Sequence, residues 1–231
     1  MILANQDTMQ LSSLDDSVAV RIARALSERI VSGLLAPGVP LKQDHIAEEF
    51  KSSHIPVREA FRKLEAQGLV VSKPRCGVRV SQLDPAMVGE VTEMRAALEG
   101  LALSHALPRL READLDAARQ ALAAGEASDQ IAVWEAANRR FHLAITAPCA
   151  MPRLMASISD LHRSDARFLF ATWKHLDWQP RSDTEHWAIL DAITRRDGEG
   201  ARVLLEAHVR EAGRALIERL HSMALMEGNA D

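Results

Sequence analysis

Three histidines and one asparagine are the side chains of this sequence best suited to metal chemistry. Asn138 and His142 are four residues apart, so a helix would place both on one face beside apolar residues such as Phe141. His186 and His208 each share an apolar helical stripe with leucine neighbours. All four polar side chains are therefore expected to point into a protein core.

His186 and His208 are also spaced so that they can meet. They lie about 12 residues before and about 10 residues after a turn near Gly198, and at about 1.5 Å of rise per residue they reach similar heights on adjacent antiparallel helices. Converging buried imidazoles share a desolvation cost that a divalent cation removes. Neutral imidazoles with one oxygen ligand suit Zn, Ni, Mn or Fe. The alternative is a set of core histidines that hydrogen-bond to waters and neighbours.

A second kind of chemistry is predicted between residues 51 and 80, where seven Lys or Arg residues stand against two Glu. Arg58 and Arg62 are one helical turn apart, and arginine on an exposed helix can donate two hydrogen bonds to guanine in the major groove. Arg75 and Gly77 lie in a basic turn, where glycine permits close approach to DNA. The alternative is a solvated basic surface without a partner.

The order of elements in the first 81 residues favours DNA binding. Apolar residues at helical spacing predict three helices, and a turn at residues 51–53 separates the second helix from the third. Pro56 fits the first turn of the third helix, and two short strands follow Gly68. Together these elements predict a helix-turn-helix followed by a hairpin wing.

Five segments, at residues 34–41, 46–48, 53–64, 67–70 and 74–80, carry a family resemblance. They resemble the winged helix-turn-helix domain of GntR-type bacterial transcription regulators. The resemblance implies a DNA face that contains Ser53, His54, Pro56, Arg58 and Arg62, with Gly77 at the tip of the wing. The family usually has arginine at the position of His54, so a contact there is expected to be weaker or to depend on histidine protonation.

Residues 86–226 are expected to form an antiparallel bundle of six or seven helices. Helical patterns cover residues 86–107, 112–126, 130–147, 152–173, 182–196 and 199–224. Only 4% of residues are aromatic, which agrees with a mostly α protein. No apolar run is long enough to span a bilayer, and Cys76 and Cys149 have no metal-type spacing. A cytoplasmic protein without a membrane partner is therefore expected.

Further segments, at residues 93–95, 98–99, 138–142, 185–186 and 189–190 and at His208, resemble the FCD ligand-binding domain of the FadR subfamily within the same regulator family. The resemblance implies that the metal ligands are Asn138, His142, His186 and His208. Asparagine replaces the commoner aspartate, which removes a negative charge and is expected to lower metal affinity.

The same resemblance implies an effector site in which Arg95 binds a carboxylate through two hydrogen bonds. Arg167 is a second candidate for this role. The alternative for Arg95 is a surface salt bridge with Glu99, four residues later.

The predicted organisation is a tail at 1–15, a winged helix-turn-helix at 16–81, a linker at 82–85, a helical effector-binding and dimerisation domain at 86–226 and a tail at 227–231. The predicted function is transcription regulation by a homodimer that binds a palindromic operator, with affinity changed by a small organic acid at a metal-containing pocket. Two alternatives stay open. One is a metal-dependent enzyme, although no general base or nucleophile accompanies the histidines; the other is a constitutive DNA-binding dimer without metal.

Overall fold

The computed structural model describes residues 17–73, 77–172 and 179–228. The chain divides into two compact units, one ending at Gln82 and the other beginning at Leu83. The described residues are mostly helical and contain one three-stranded sheet, which confirms the predicted fold class. None of the described helices is both long enough and apolar enough to cross a membrane.

The N-terminal unit is a helix-turn-helix with a small sheet. In chain order its elements are α1 (Val18–Val31), β1 (Pro40–Leu41), α2 (Gln43–Glu49), α3 (His54–Ala66), β2 (Val70–Lys73) and β3 (Gly77–Val80). The strands are antiparallel in the order β1-β3-β2, so the predicted hairpin gains a third strand on the far side of β3. Arg75 and Cys76 lie outside the described residues.

One apolar core holds these elements together. Ile22, Leu26 and Ile30 recur every four residues along α1 and are buried against Val57 and Leu64 of α3. Burying a side chain of this size stabilises the fold by roughly 1.5–3 kcal/mol, so both helices are fixed by their apolar stripes. The polar face of α3 consequently points to solvent.

The C-terminal unit is a helical bundle. Its helices are α4 (Pro85–Ala106), α5 (Glu112–Glu126), α6 (Ile131–Thr146), α7 (Pro152–Thr172), α8 (Gln179–Thr194) and α9 (Gly198–Gly228), with short 3₁₀ turns at Leu107–Arg109 and Ala147–Cys149. Helix α4 begins inside the predicted linker because the Asp84 side chain accepts a hydrogen bond from the Ala86 amide at 2.9 Å and caps the helix. Helix α8 begins three residues before the predicted start, and its first turn includes Pro180, where proline is tolerated.

Helices α4 and α9 pack closely along one another. A Cβ atom on Gly213 of α9 would lie 2.1 Å from Oγ1 of Thr92 on α4, so only glycine fits at this crossing. A Cβ on Gly100 of α4 would lie 2.6 Å from Oε1 of Glu206. This close packing brings polar residues of α4 near those of α9.

Candidate DNA-binding face and metal centre

Helix α3 presents its predicted DNA contacts on the exposed side. Ser53 is its N-cap residue but makes no capping hydrogen bond through its side chain. Ser53, His54, Arg58 and Arg62 are exposed, and Pro56 is half-buried in the first turn. The helix therefore offers two guanidinium groups one turn apart to an external partner.

Arg58, Arg62 and Gly77 line one groove between α3 and the sheet. Gly77 has a φ of 74°, in the left-handed region that favours glycine, and nothing lies within 4 Å of where its Cβ would be. Gly77 is thus required by the backbone conformation and not by crowding. The other charged residues along this groove are Lys42, Asp44, Glu65 and Arg79.

His54, the first residue of α3, lies beside Asp44 of α2. Its Nε2 lies 3.3 Å from Oδ1 of Asp44, and both side chains are exposed. Gln43 donates a hydrogen bond from Nε2 to the His54 carbonyl at 3.1 Å, which ties α2 to α3. A protonated His54 would be partly neutralised by Asp44, so it offers less positive charge to a phosphate than arginine would.

Helices α6, α8 and α9 bring three buried histidines together. The ring centroids of His142 and His186 are 5.4 Å apart, and those of His186 and His208 are 4.4 Å apart. The ring centroids of His142 and His208 are separated by 5.5 Å. One ring nitrogen of each lies within 4.8 Å of the others, close enough for a shared cation.

Asn138 of α6 lines the same cavity as His142 and His208. Its Oδ1 is buried and has no hydrogen-bond partner among the described residues, and the same holds for Nε2 of His142 and Nε2 of His186. Buried polar atoms without partners are uncommon and costly in folded proteins. An amide oxygen and imidazole nitrogens are ligands of divalent transition metals, so this donor set fits a metal ion.

Two carboxylates orient two of the imidazoles. Oε2 of Glu99 lies 2.6 Å from Nδ1 of His142, and Oε2 of Glu185 lies 2.9 Å from Nδ1 of His208. An ionised carboxylate only accepts hydrogen bonds, so Nδ1 of each ring donates and its lone pair is at Nε2. Histidines that bind metals commonly have this carboxylate partner on the opposite nitrogen.

The protonation states also favour metal binding. Burial lowers the pKa of His142, His186 and His208, and the two neighbouring imidazoles lower the pKa of His186 further. These rings are neutral near pH 7, which is the form that binds a metal. Burial raises the pKa of Glu99, but the charge of Arg95, together with the contacts of the carboxylate with His142 and His162, outweighs burial and holds that pKa well below its usual range.

Arg95 is buried at the side of this cluster. Its Nε donates to Oε1 of Glu99 at 2.9 Å, and its Nη1 donates to Asp165 of α7. The salt bridge expected as the alternative role of Arg95 therefore exists, but its predicted surface location is wrong, because only 5% of the Arg95 side chain is exposed. Arg95 and Asp165 also line the cavity beside His142.

The cavity itself is small. Its volume is about 20 Å³, which holds roughly one water molecule, and Trp134 and Leu216 form part of its apolar wall. Arg167 is not among the residues that line it. The guanidinium of Arg167 lies 5.7 Å from the ring centroid of Phe168, and burial lowers the pKa of Arg167 to about 10. The structure therefore does not bring Arg95 and Arg167 to the same cavity.

Sequence reasoning missed the carboxylates and one histidine that surround the cluster. The sequence predicts Glu99 only as a salt-bridge partner of Arg95, and it indicates no role for Asp165, Glu185 or His162. His162 lies on α7 with its Nε2 3.2 Å from Oε1 of Glu99. Its position four residues after the buried Ile158 is the signal that predicts an inward side chain.

Comparisons with known proteins agree with both halves of the chain. The family model for "Bacterial regulatory proteins, gntR family" matches residues 18–80, and the model for the "FCD domain" matches residues 90–211. The chain is 29% identical over 206 residues to the galactonate operon transcriptional repressor of Escherichia coli strain K12. The aligned region covers 78% of this chain and 89% of that protein.

A second relative is the probable D-xylose utilization operon transcriptional repressor of Paenarthrobacter nicotinovorans. It is 29% identical over 199 residues, which covers 84% of this chain and 86% of that protein. The fold is similar to that of E. coli McbR/YncC, with a TM-score of 0.74 and 24% identity over 89% of this chain and 99% of the other. This chain therefore belongs to the GntR family of bacterial transcription regulators, as a DNA-binding member that carries an FCD domain.

Proposed function

We propose that the FCD domain binds a divalent metal and a small carboxylate, and that this carboxylate changes the affinity of the protein for its operator. The observation that carries the proposal is that Oδ1 of Asn138, Nε2 of His142 and Nε2 of His186 are buried ligand-type atoms without hydrogen-bond partners in the part of the chain that the structure describes. Together with His208, these residues would hold the metal. Zn, Ni, Mn and Fe all accept this combination of nitrogen and oxygen ligands.

The neutral ligand set supports an anionic effector. Neutral imidazoles and an uncharged amide leave the charge of a bound divalent ion uncompensated, so the metal would supply a positive charge that attracts a carboxylate. Arg95 lines the same cavity and adds a second positive group. Asp165 accepts from Arg95 and offers a hydrogen-bond acceptor to a hydroxyl group of the ligand.

The size of the cavity supports a role in regulation. A volume of about 20 Å³ does not admit an organic acid, so effector binding requires movement of the surrounding helices. A ligand that binds only the rearranged domain shifts the population of that state. Arg167 is buried on α7, the helix that also carries Asp165, and does not line the cavity, so we propose it as a second effector contact only after such a movement.

The name of one relative suggests an effector class. That relative is described as the repressor of a galactonate operon, and galactonate is a sugar acid. Sugar acids are therefore the first compounds to test.

For DNA, we propose that a homodimer places one α3 helix in each half of a palindromic operator. The exposed Arg58 and Arg62 would contact base edges, and the start of α3, with Ser53, His54 and Pro56, would contact the phosphate backbone. Gly77 would let the wing approach DNA closely, with Arg75 adding charge there.

The enzyme alternative has little support from the geometry. Glu99 and Asp165 are the carboxylates nearest to Arg95, and both are tied to its guanidinium. Glu99 is a poor general base, because its pKa is held well below its usual range and both of its oxygens are engaged, by Arg95 and by His142.

The test combines metal analysis with DNA binding. The protein is purified without added metal, its metal content is measured by mass spectrometry, and an operator is selected from random duplexes. We expect about one metal ion per chain and an operator Kd that changes with a sugar acid only when metal is present. An equal response after metal removal would contradict the proposal. A purified protein that contains no metal and whose operator Kd does not change with a sugar acid would favour the constitutive dimer.

A further inference from the structure

Glu99 connects a proposed metal ligand to Arg95. Oε2 of Glu99 lies 2.6 Å from Nδ1 of His142, while Oε1 accepts from Nε of Arg95 at 2.9 Å. The Glu99 side chain is fully buried. We propose that Glu99 is a positioning residue that fixes the tautomer and orientation of His142, and that Arg95 holds Glu99 in place. This inference rests on the metal site proposed above.

The tautomer follows from what each atom can donate or accept. Arg95 has only donors, and it is bound to Oε1 of Glu99, so the remaining oxygen Oε2 faces His142. A neutral imidazole has one N–H group, and here Nδ1 must donate it to Oε2. The lone pair of His142 is then at Nε2, the buried atom that has no partner among the described residues.

Arg95 restricts the carboxylate of Glu99 from the other side. The planar guanidinium bridges Glu99 of α4 and Asp165 of α7, so it joins two helices as well as two carboxylates. With Oε1 engaged, Glu99 can satisfy His142 only through Oε2. The orientation of His142 therefore depends on Arg95 through Glu99.

A second group of ligand-type atoms does not form another metal site. Glu99, His142 and His162 also have ligand atoms within 4.8 Å of one another. However, Oε1 of Glu99, which lies 3.2 Å from Nε2 of His162, already accepts from the cationic Arg95. A cation at this point would be repelled by the guanidinium charge. Nε2 of His162 is buried without a hydrogen-bond partner among the described residues, but the carboxylate oxygen that it faces is already occupied by Arg95.

The variant Glu99→Gln gives the sharpest test, because it keeps the shape of the side chain. Glutamine has one oxygen, which Arg95 attracts since Arg95 has only donors, so the amide NH₂ faces His142. That NH₂ donates to Nδ1 and forces the His142 proton onto Nε2, where it blocks the metal. We expect the Zn²⁺ affinity to fall by roughly 10- to 100-fold, as for other carboxylate partners of metal-bound histidines.

The matched control is Glu185→Gln, since Glu185 has the same contact with His208 at 2.9 Å. We expect this variant to lower the Zn²⁺ affinity but to leave the tautomer of His142 unchanged. Two quantities are measured on the full chain. Zn²⁺ affinity is obtained by competition with a chelating dye, and the His142 tautomer is obtained from ¹⁵N NMR of histidine-labelled, metal-free protein.

The expected result is an Nδ1–H tautomer of His142 in the unmodified protein and an Nε2–H tautomer with weakened Zn²⁺ binding in Glu99→Gln. Unchanged affinity, or weakened affinity with an unchanged tautomer, would overturn the proposal. If Glu99→Gln does not fold, Glu99→Asp withdraws the carboxylate from Nδ1 of His142, so we expect weaker Zn²⁺ binding and a mixture of His142 tautomers. Unchanged affinity together with an unchanged tautomer in Glu99→Asp would overturn the proposal. If the unmodified protein binds no Zn²⁺, the proposed metal site fails, while the NMR spectrum of that protein still tests the role of Glu99.

Discussion

The polar groups of the DNA-binding face are exposed to solvent, whereas those of the histidine cluster are buried. On α3, Arg58 and Arg62 are exposed, and DNA would supply their acidic partners. In the FCD domain, Arg95 and Glu99 are buried, and each neutralises the other within the fold. The exposed face can thus change with little effect on folding. The buried cluster must carry its own counter-charges, so its function and its stability are linked.

The largest expected effect is on metal retention. Replacing both His186→Ala and His208→Ala removes two of the proposed ligands, and we expect the purified protein to contain no bound metal. Operator binding should be retained, because the DNA-contacting residues lie in the other unit. Metal content is measured by mass spectrometry, with His221→Ala, an exposed histidine of α9, as the control. Full metal content in the double variant would refute the proposed cluster.

The second effect contrasts two arginines. Arg95→Ala leaves Glu99 and Asp165 without their cation in the interior, so the free energy of unfolding should fall by about 3–5 kcal/mol. Arg58→Ala on the exposed face of α3 should change it by less than about 0.5 kcal/mol. Urea unfolding of both variants measures the difference. Equal changes for the two variants would show that the contrast between the regions is wrong.

The third effect is on operator affinity, for which we expect the exposed Arg58 to matter more than the buried Arg95. Arg58→Ala should weaken specific operator binding by roughly 1–3 kcal/mol and relax base preference, because a pair of hydrogen bonds to a base edge is lost. The control is Lys63→Ala, an exposed residue of α3 that is not among those lining the groove with Gly77. Fluorescence anisotropy with operator and mismatched duplexes provides the affinities. An unchanged profile for Arg58→Ala would mean that α3 does not read bases.

The fourth effect is on the pH dependence of stability. Burial lowers the pKa of His186 and His208 in the folded state, so the unfolded chain binds more protons below the usual histidine pKa near 6.5. The stability of the metal-free protein should therefore be complete above about pH 6.5 and fall as the pH is lowered, by at most about 1.4 kcal/mol per pH unit for each histidine.

The double histidine variant is the comparison for this measurement. It should show a shallower loss of unfolding free energy between about pH 7 and pH 5, because two of the titrating groups are absent. Identical slopes would mean that these imidazoles do not titrate with folding.

The spacing of apolar residues in the sequence was sufficient to predict features that depend on a single helix. The apolar stripe of α3 fixed which side is exposed, and thus placed Arg58 and Arg62 on the polar face. The rise per residue was also sufficient to bring His186 and His208 to similar heights across the α8–α9 turn.

Features that depend on several helices were not predictable in this way. An i,i+4 pair such as Arg95 and Glu99 has the same sequence pattern on a surface and in a core. Its burial results from α4 being covered by α7 and α9, which no single segment reveals. The contact of Glu99 with His142 spans 43 residues, and the contact of Arg95 with Asp165 spans 70, so both require the helix order in three dimensions.

The central claim is that buried imidazoles from separate helices bind one divalent ion. X-ray absorption spectroscopy of the purified protein, at the edge of the metal that it contains, tests this directly. We predict a metal bound by the nitrogens of His142, His186 and His208, with an oxygen ligand in addition. A spectrum that shows only oxygen ligands, or a purified protein that contains no metal, would contradict the account.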